Sequence, residues 1–254
     1  MSADREHILT QAFVSIANSL VDGADVVELL SGLTTDCARL LDVASAGLLL
    51  ADGHGALHVV AASSERTRDL EMFQLQREQG PCLDCYRTGA PVEVDDLAAA
   101  AERWPNFVEA ALAAGFASVH AVPLRLRETV LGALNLFGSE VGPLQPDDLD
   151  LAQALAHVAS IALVAERAAG DRETINQQLQ HALTSRIAIE QAKGVLAQVG
   201  NLEMDQSFAA LRRYTRDHNR RLSEVAQEVV SRQLSGVELL AYAESKGTLT
   251  SGTR

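Results

Sequence analysis

The segment from Pro146 to Gly200 constrains this 254-residue chain more than any other. After its first residue it has no proline, and its only interior glycines are Gly170 and Gly194. Proline removes a backbone donor and clashes with the preceding turn, and glycine weakens a helix interior. A stretch this poor in both predicts one long helix or two abutting ones. Pro146 with Asp147 and Asp148 marks its start, with acids in the first turn where the helix dipole favours them. A seam at alternating three- and four-residue spacing runs through Ile161, Ala165, Ala168, Arg172, Ile175, Leu179, Ala182, Arg186, Ile189, Lys193 and Leu196, and its exceptions to apolar character are all basic. The seam predicts a parallel dimeric coil joining two parts of the chain. The alternative for 146–168 is a helix packed on its own domain.

Charge divides at the same place. Residues 1–170 hold 10 Arg, no Lys and 24 Asp+Glu, a net of −14, whereas residues 171–254 hold 11 basic and 10 acidic groups, a net of +1. The whole-chain charge of −13 argues against a nucleic-acid partner, but the acidity belongs to the first part. Between Leu211 and Arg221, Arg212, Arg213, Arg216, Arg220 and Arg221 face the single acid Asp217, so an anionic partner suits the second part. A 47% hydrophobic content suffices for a core in each part and excludes a disordered chain. Aromatics at 4% mean cores of Ala, Val and Leu, with little ring area for a base-stacking sheet. Three cysteines fit a reducing compartment. Met1-Ser2-Ala3-Asp4-Arg5-Glu6 lacks the order of a signal peptide. The longest charge-free apolar tract, Leu151 to Ala165, is about fifteen residues, short of a spanning helix. A cytoplasmic protein without a membrane partner is the expectation.

The first part opens with two amphipathic helical stretches, about 5–20 and 25–42. Ala46 to Ala51 and Leu57 to Ala62 then read as strands joined by the hairpin Asp52-Gly53-His54-Gly55. A helix over about 65–78, a strand at Pro91 to Val94, a short helix from Asn106 to Ala114, and strands at Ala117 to Leu126 and Val130 to Phe137 complete an α+β pattern with an antiparallel sheet. Gly80-Pro81-Cys82, Thr88-Gly89-Ala90-Pro91-Val92-Glu93-Val94-Asp95-Asp96-Leu97, Ser118 to Leu124 and Leu131-Gly132-Ala133-Leu134-Asn135-Leu136-Phe137 resemble a GAF domain, over roughly 25–165. The resemblance implies a sensor domain over 1–165 with a five- or six-stranded antiparallel sheet that carries a small-molecule pocket or a dimer face. It names no cofactor, because cyclic-nucleotide, haem and bilin binders share the fold.

The chemical candidate in this part is Cys82-Leu83-Asp84-Cys85, a redox pair or half a zinc site. Zinc needs two further ligands, and neither Cys37 nor His54 and His58 offers workable spacing, so no metal site is expected. Thiolate formation needs a cation or a helix amino terminus, which Arg87 and a helix start at Pro81 supply; the alternative is buried thiols beside a pocket. His58 and His120, on predicted strands, are the other ligand-sensing candidates, with hydrogen-bonded structural histidines as the alternative.

In the second part, Met204 to His218 forms a helix with Phe208, Leu211 and Thr215 on one face and Arg212, Arg216 and Arg220 on another. A further helix places Leu222, Val225, Ala226, Val229 and Val230 in register behind an N-cap at Ser223. With the end of the long helix this makes an all-α three-helix bundle, thin enough to want support from a dimer. Leu183 to Leu196, Ser207 to Arg212 and Asn219 to Ala226 closely resemble the ANTAR domain over roughly 174–235, after a connecting helix at 146–175 and before a tail at 236–254. Ala197 and Ser207 depart from its pattern at packing positions. Members of that family are dimeric RNA-binding antitermination regulators attached to a signal-receiving domain. The resemblance implies that Arg186, Lys193 and Arg212 present to RNA. Gln191, Arg213, Arg216 and the ring of Tyr214 are further candidates for phosphate contact, base hydrogen bonding and stacking.

The first functional reading is therefore a signal-responsive, homodimeric antitermination regulator that captures RNA stem-loops under control of an effector. A thiol enzyme or redox sensor using Cys82 and Cys85 is the alternative. A DNA-binding regulator is weaker, because the residues after Gly236 are acidic and apolar rather than a recognition helix. No catalytic residues stand out.

Overall fold

The computed structural model describes residues 9–11, 14, 26–41, 43–165 and 172–248, with side chains apart from those of 26, 162, 164, 165 and 172–183. It divides into two units, 1–180 and 181–254. Of the first predicted helix only 9–11 and 14 are described.

In the first unit the order is α1 (Val26–Leu40), β1 (Ser45–Ala51), β2 (Leu57–Ala62), α2 (Glu65–Arg77), α3 (Pro81–Thr88), β3 (Val92–Val94), α4 (Pro105–Ala113), β4 (Ser118–Leu126), β5 (Thr129–Gly138) and α5 (Pro146–Ala165). The strands form one antiparallel sheet in the order β2-β1-β5-β4-β3. Every residue of β1 is buried, as expected of a strand with neighbours on both edges and helices on both faces. Because side chains alternate along a strand, the sheet has two distinct faces. Leu49, Val119, Ala121, Ala133 and Phe137 join Leu70, Cys82, Cys85, Phe107 and Phe116 in the core beneath α2, α3 and α4. The alternate residues Leu48, Leu50, Val122, Leu134 and Leu136 are buried on the other side, where α1 and α5 pack against the sheet and each other.

The α3 helix begins with Pro81 at N1 after Gly80, whose φ of 146° suits glycine, and places Cys82 in the first turn. The five strands lie within a residue or so of their predicted positions, but α3 had been legible only as a helix start at Pro81.

The second unit takes the end of α6 (Arg172–Gly200) together with α7 (Met204–Asp217), α8 (Leu222–Val230) and α9 (Gly236–Ser245). Ile189, Leu196, Leu211, Leu222, Val225, Val229 and Leu239 are all buried here. Glu203 and Gln206 close a capping box at the start of α7. Arg220 clamps Glu228 through two bonds of 2.7 and 2.6 Å across the α7–α8 turn.

Four expectations change. The bundle has a fourth helix, because the segment read as a tail from 236 begins with α9, whose Leu239, Leu240 and Ala243 are buried and which packs on α7. The N-cap of α8 is Arg221, with Ser223 inside the helix, and Val230 is 37% exposed. The end of the proposed coil seam is not a free stripe: Arg186, Ile189, Lys193 and Leu196 are buried within this unit. The seam positions Ala165, Ala168, Arg172, Ile175, Leu179 and Ala182 lie outside the described side chains. No described helix is long and apolar enough to cross a membrane.

Candidate functional site

The core beneath α2 and α3 contains one acid. Glu71 on α2 is wholly buried, accepting from Asn135 Nδ2 on β5 at 2.7 Å and from Gln74 Nε2 one turn further along α2. It fits because Gly47 on β1 has no side chain; a Cβ there would lie 2.3 Å from Glu71 Oε1. Burial pushes the Glu71 carboxyl up to about 8, while the hydrogen bonds from Asn135 and Gln74 pull the other way. At neutral pH the group is mostly protonated. Gln74 Oε1 and Asn135 Oδ1 are buried without hydrogen-bond partners. A carboxyl proton gives either oxygen a donor once an amide turns over, which the heavy-atom positions alone do not distinguish.

Cys82 and Cys85 share this core as free thiols. Burial raises the Cys82 thiol well above its ordinary value, and the Glu71 charge adds to the effect against a hydrogen bond with Asn135. Burial pushes Cys85 up to about 12, and Cys37, further raised by Asp36, also to about 12. Arg87, the expected activator, lies 4.0 Å from Asp84, which also pairs with Arg103 at 2.8 Å. Desolvation therefore outweighs the helix-start effect at Cys82, and neither thiol is poised for thiolate chemistry.

The two histidine candidates part company. His58 is at the hairpin, with Nε2 3.0 Å from Asp52 Oδ2 and its side chain 46% exposed. His120 is buried on β4, in the alternate set of residues that faces away from Glu71. Among the described residues no three metal-ligating side chains converge.

In the second unit, α6 carries an ionic triad of two buried cations and a half-buried acid. Arg186 Nη2 lies 2.6 Å from Glu190 Oε1, and Lys193 Nζ lies 3.2 Å from Glu190 Oε2. Lys193 is 2% exposed and its ammonium stands 5.4 Å from the centroid of Phe208 on α7. Gln191, on another side of α6, is exposed. On α7, Arg216 is exposed, and Arg212 and Arg213 are half-buried, Arg212 over Phe208 and Arg213 donating to Asp217 at 2.7 Å. Tyr214 stacks on His218 with centroids 4.0 Å apart and meets Tyr242 of α9 edge-on at 5.4 Å, while Tyr242 donates its hydroxyl proton to Asp217 at 3.2 Å.

The family model for the GAF domain matches residues 23–164, which spans the sheet, its helices and both sides of its core. The chain belongs to the GAF domain family. The model for the ANTAR domain matches residues 177–230, so the GAF sensor domain is followed by an RNA-binding antitermination module. Among solved structures, the GAF domain of the Acinetobacter phosphoenolpyruvate-protein phosphotransferase is 14% identical, with a TM-score of 0.50, covering 68% of this chain and 99% of that one. The phycoerythrobilin-bound GAF domain of a cyanobacterial phytochrome is 16% identical, with a TM-score of 0.49, covering 65% and 97%. The type II free methionine-R-sulfoxide reductase of Thermoplasma acidophilum is 16% identical, with a TM-score of 0.41, covering 54% and 94%. At 14% identity the likeness to the Acinetobacter domain concerns the fold alone. A search of curated proteins finds no match.

Within the GAF unit, sequence reasoning missed Glu71, Gln74 and Asn135. Glu71 falls in a helix of charged residues that reads as a solvated face; the available signal was Asn135, the one polar residue in Leu131 to Phe137. Within the ANTAR unit, Arg186 and Lys193 are buried where a surface role had been expected. Glu190 lies four and three residues away on the same helix face and pairs with both, and α7 covers Lys193 through Phe208. Tyr242 joins the Tyr214 cluster from beyond the matched ANTAR residues.

Proposed function

We propose that this chain is a signal-responsive regulator of transcription antitermination, in which an effector of the GAF unit controls capture of RNA stem-loops by a dimer. The observation that carries the reading is the ANTAR match over 177–230, joined to an arginine-bearing face on α7. In this reading Arg216, Arg212 and Arg213 contact phosphates, Gln191 contacts a base edge, and the Tyr214 cluster offers the aromatic surface that unpaired loop bases stack on. Arg186 and Lys193 act from inside, holding α6 through Glu190 so that the outer face keeps its shape. The acidic GAF unit repels RNA and leaves binding to the smaller basic surface.

The test is fluorescence anisotropy of the full chain against an RNA of two adjacent stem-loops and against duplex DNA, over a series of salt concentrations. The expected result is preference for the RNA, with affinity falling linearly on a logarithmic scale as salt rises. Equal binding to duplex DNA, or none to RNA, overturns the reading.

A further inference from the structure

The last acid of α7 sits where a helix disfavours one. Asp217 is the final residue of α7, at the end where the helix dipole is negative, and it follows Arg213 by four positions, the weaker order for an ion pair on a helix. The helix alone therefore gives this pair little support. Support comes instead from α9. Tyr242 donates its hydroxyl proton to Asp217 Oδ2 at 3.2 Å, and the same oxygen accepts from Arg213 Nε at 2.7 Å. Against desolvation, which works the other way, the bonds from Arg213 and Tyr242 hold the Asp217 carboxyl below its ordinary value. Desolvation and the bond to Asp217 push the Tyr242 phenol up, so it keeps the proton it donates.

Tyr242 is itself held in place. Its ring meets Tyr214 edge-on at 5.4 Å and His218 at 4.8 Å, and His218 stacks on Tyr214 and donates Nδ1–H to the Tyr214 carbonyl at 2.8 Å. Three rings thus aim one hydroxyl. At the other end of this chain of bonds, Arg213 commits Nε to Asp217, while its two Nη groups bond none of the described residues. A guanidinium is a rigid planar fork, so fixing Nε fixes the direction in which the Nη pair points. A fork oriented in advance loses less freedom when it takes up an anion.

We propose that Tyr242 is a positioning residue for RNA capture: through Asp217 it orients Arg213, whose Nη groups take a phosphate. Helix α9 then belongs to the RNA-binding device although it lies beyond the matched ANTAR residues 177–230. The proposal rests on the reading of Arg213 as a phosphate contact.

The test is a double-mutant cycle in the full chain, with Tyr242→Phe, Arg213→Ala and the two combined, measured by fluorescence anisotropy against the RNA of two adjacent stem-loops. Tyr242→Phe keeps the ring and every charge and removes only the hydroxyl. It is expected to weaken binding by about threefold or more when Arg213 is present and to change nothing once Arg213 is alanine. Full affinity in Tyr242→Phe overturns the proposal, and so does an equal loss in both backgrounds, which would mean that the hydroxyl acts without Arg213. A second measurement needs no RNA. In the nitrogen-15-labelled chain, Tyr242→Phe should shift the Arg213 Nε–H resonance and speed its exchange with water, while the Nε–H of Arg220, clamped on Glu228, stays as in wild type. An unmoved Arg213 resonance, or equal movement of both, overturns the positioning role. If the wild-type chain binds no RNA, the antitermination reading fails, and the Arg213 resonance still decides whether Tyr242 orients that side chain.

Discussion

The GAF unit and the ANTAR unit each draw a glutamate into the fold, Glu71 wholly buried and Glu190 half-buried, and they balance its charge by opposite means. Glu71 has only amide donors around it, so burial raises its affinity for a proton. Glu190 lies between Arg186 and Lys193 on its own helix and forms ion pairs with both. An acid drawn away from water takes its counter-charge from the nearest source, a proton where the neighbours are amides and cations where helix spacing supplies them. The Glu71 core is therefore sensitive to pH, while the triad depends on all three of its members.

The largest effect is expected from breaking the triad. Glu190→Gln leaves two buried cations without their shared anion and should cost about 3–5 kcal/mol. Native-state hydrogen exchange of amides in 184–200 and 204–217 should report it as a loss of protection confined to the ANTAR unit. Protection equal to wild type would show that solvent already screens the triad.

Glu71→Gln tests the other arm. In the unfolded chain this carboxyl ionises near 4.5, and in the folded chain near about 8, so the native state holds more protons between those values. Stability from this group is therefore complete below pH 4.5 and is lost as pH rises to about 8, with a limiting slope of about 1.4 kcal/mol per pH unit. Urea titrations should find Glu71→Gln flatter than wild type across that window and more stable by a few kcal/mol at its upper end. Parallel curves would mean that Glu71 is ionised in the folded protein.

The smallest effect sharpens the contrast between the buried and exposed cations of the ANTAR unit. Arg216→Ala should leave stability within about 0.5 kcal/mol. It should also weaken binding to the two-stem-loop RNA and reduce the salt slope by about one phosphate contact. An unchanged slope would move the RNA surface away from α7.

Much of the fold was legible because its signals are local. The Asp52-Gly53-His54-Gly55 hairpin, the alternation in β4 and β5, and the register of Leu222, Val225, Ala226 and Val229 each depend on residues a few positions apart. Helix α9 was not read, since Leu239, Leu240 and Ala243 make too short an apolar face to be distinguished from a tail. Its definition comes from α7, through Tyr242 against Tyr214, and from α6, where Gly200 leaves room for Leu240. Of the candidate RNA-facing residues, the arginine cluster of α7 is visible in the sequence as clustered charge, while the burial of Arg186 and Lys193 is not. A basic residue on a helical seam has the same sequence signature whether it faces solvent or an internal acid.

By itself the sequence determined where the five strands and all but the short helices α3 and α9 form, where the acidic part ends, and which two families the parts resemble. Those properties follow from periodicity, charge and short motifs along the chain. Only the tertiary structure decided which polar groups are withdrawn from water. Glu71 meets Asn135 across 64 positions, and His120 meets the loop from 138 to 145 through the folding of the sheet. Desolvation depends on every atom packed around a group, and most of those atoms come from distant parts of the chain.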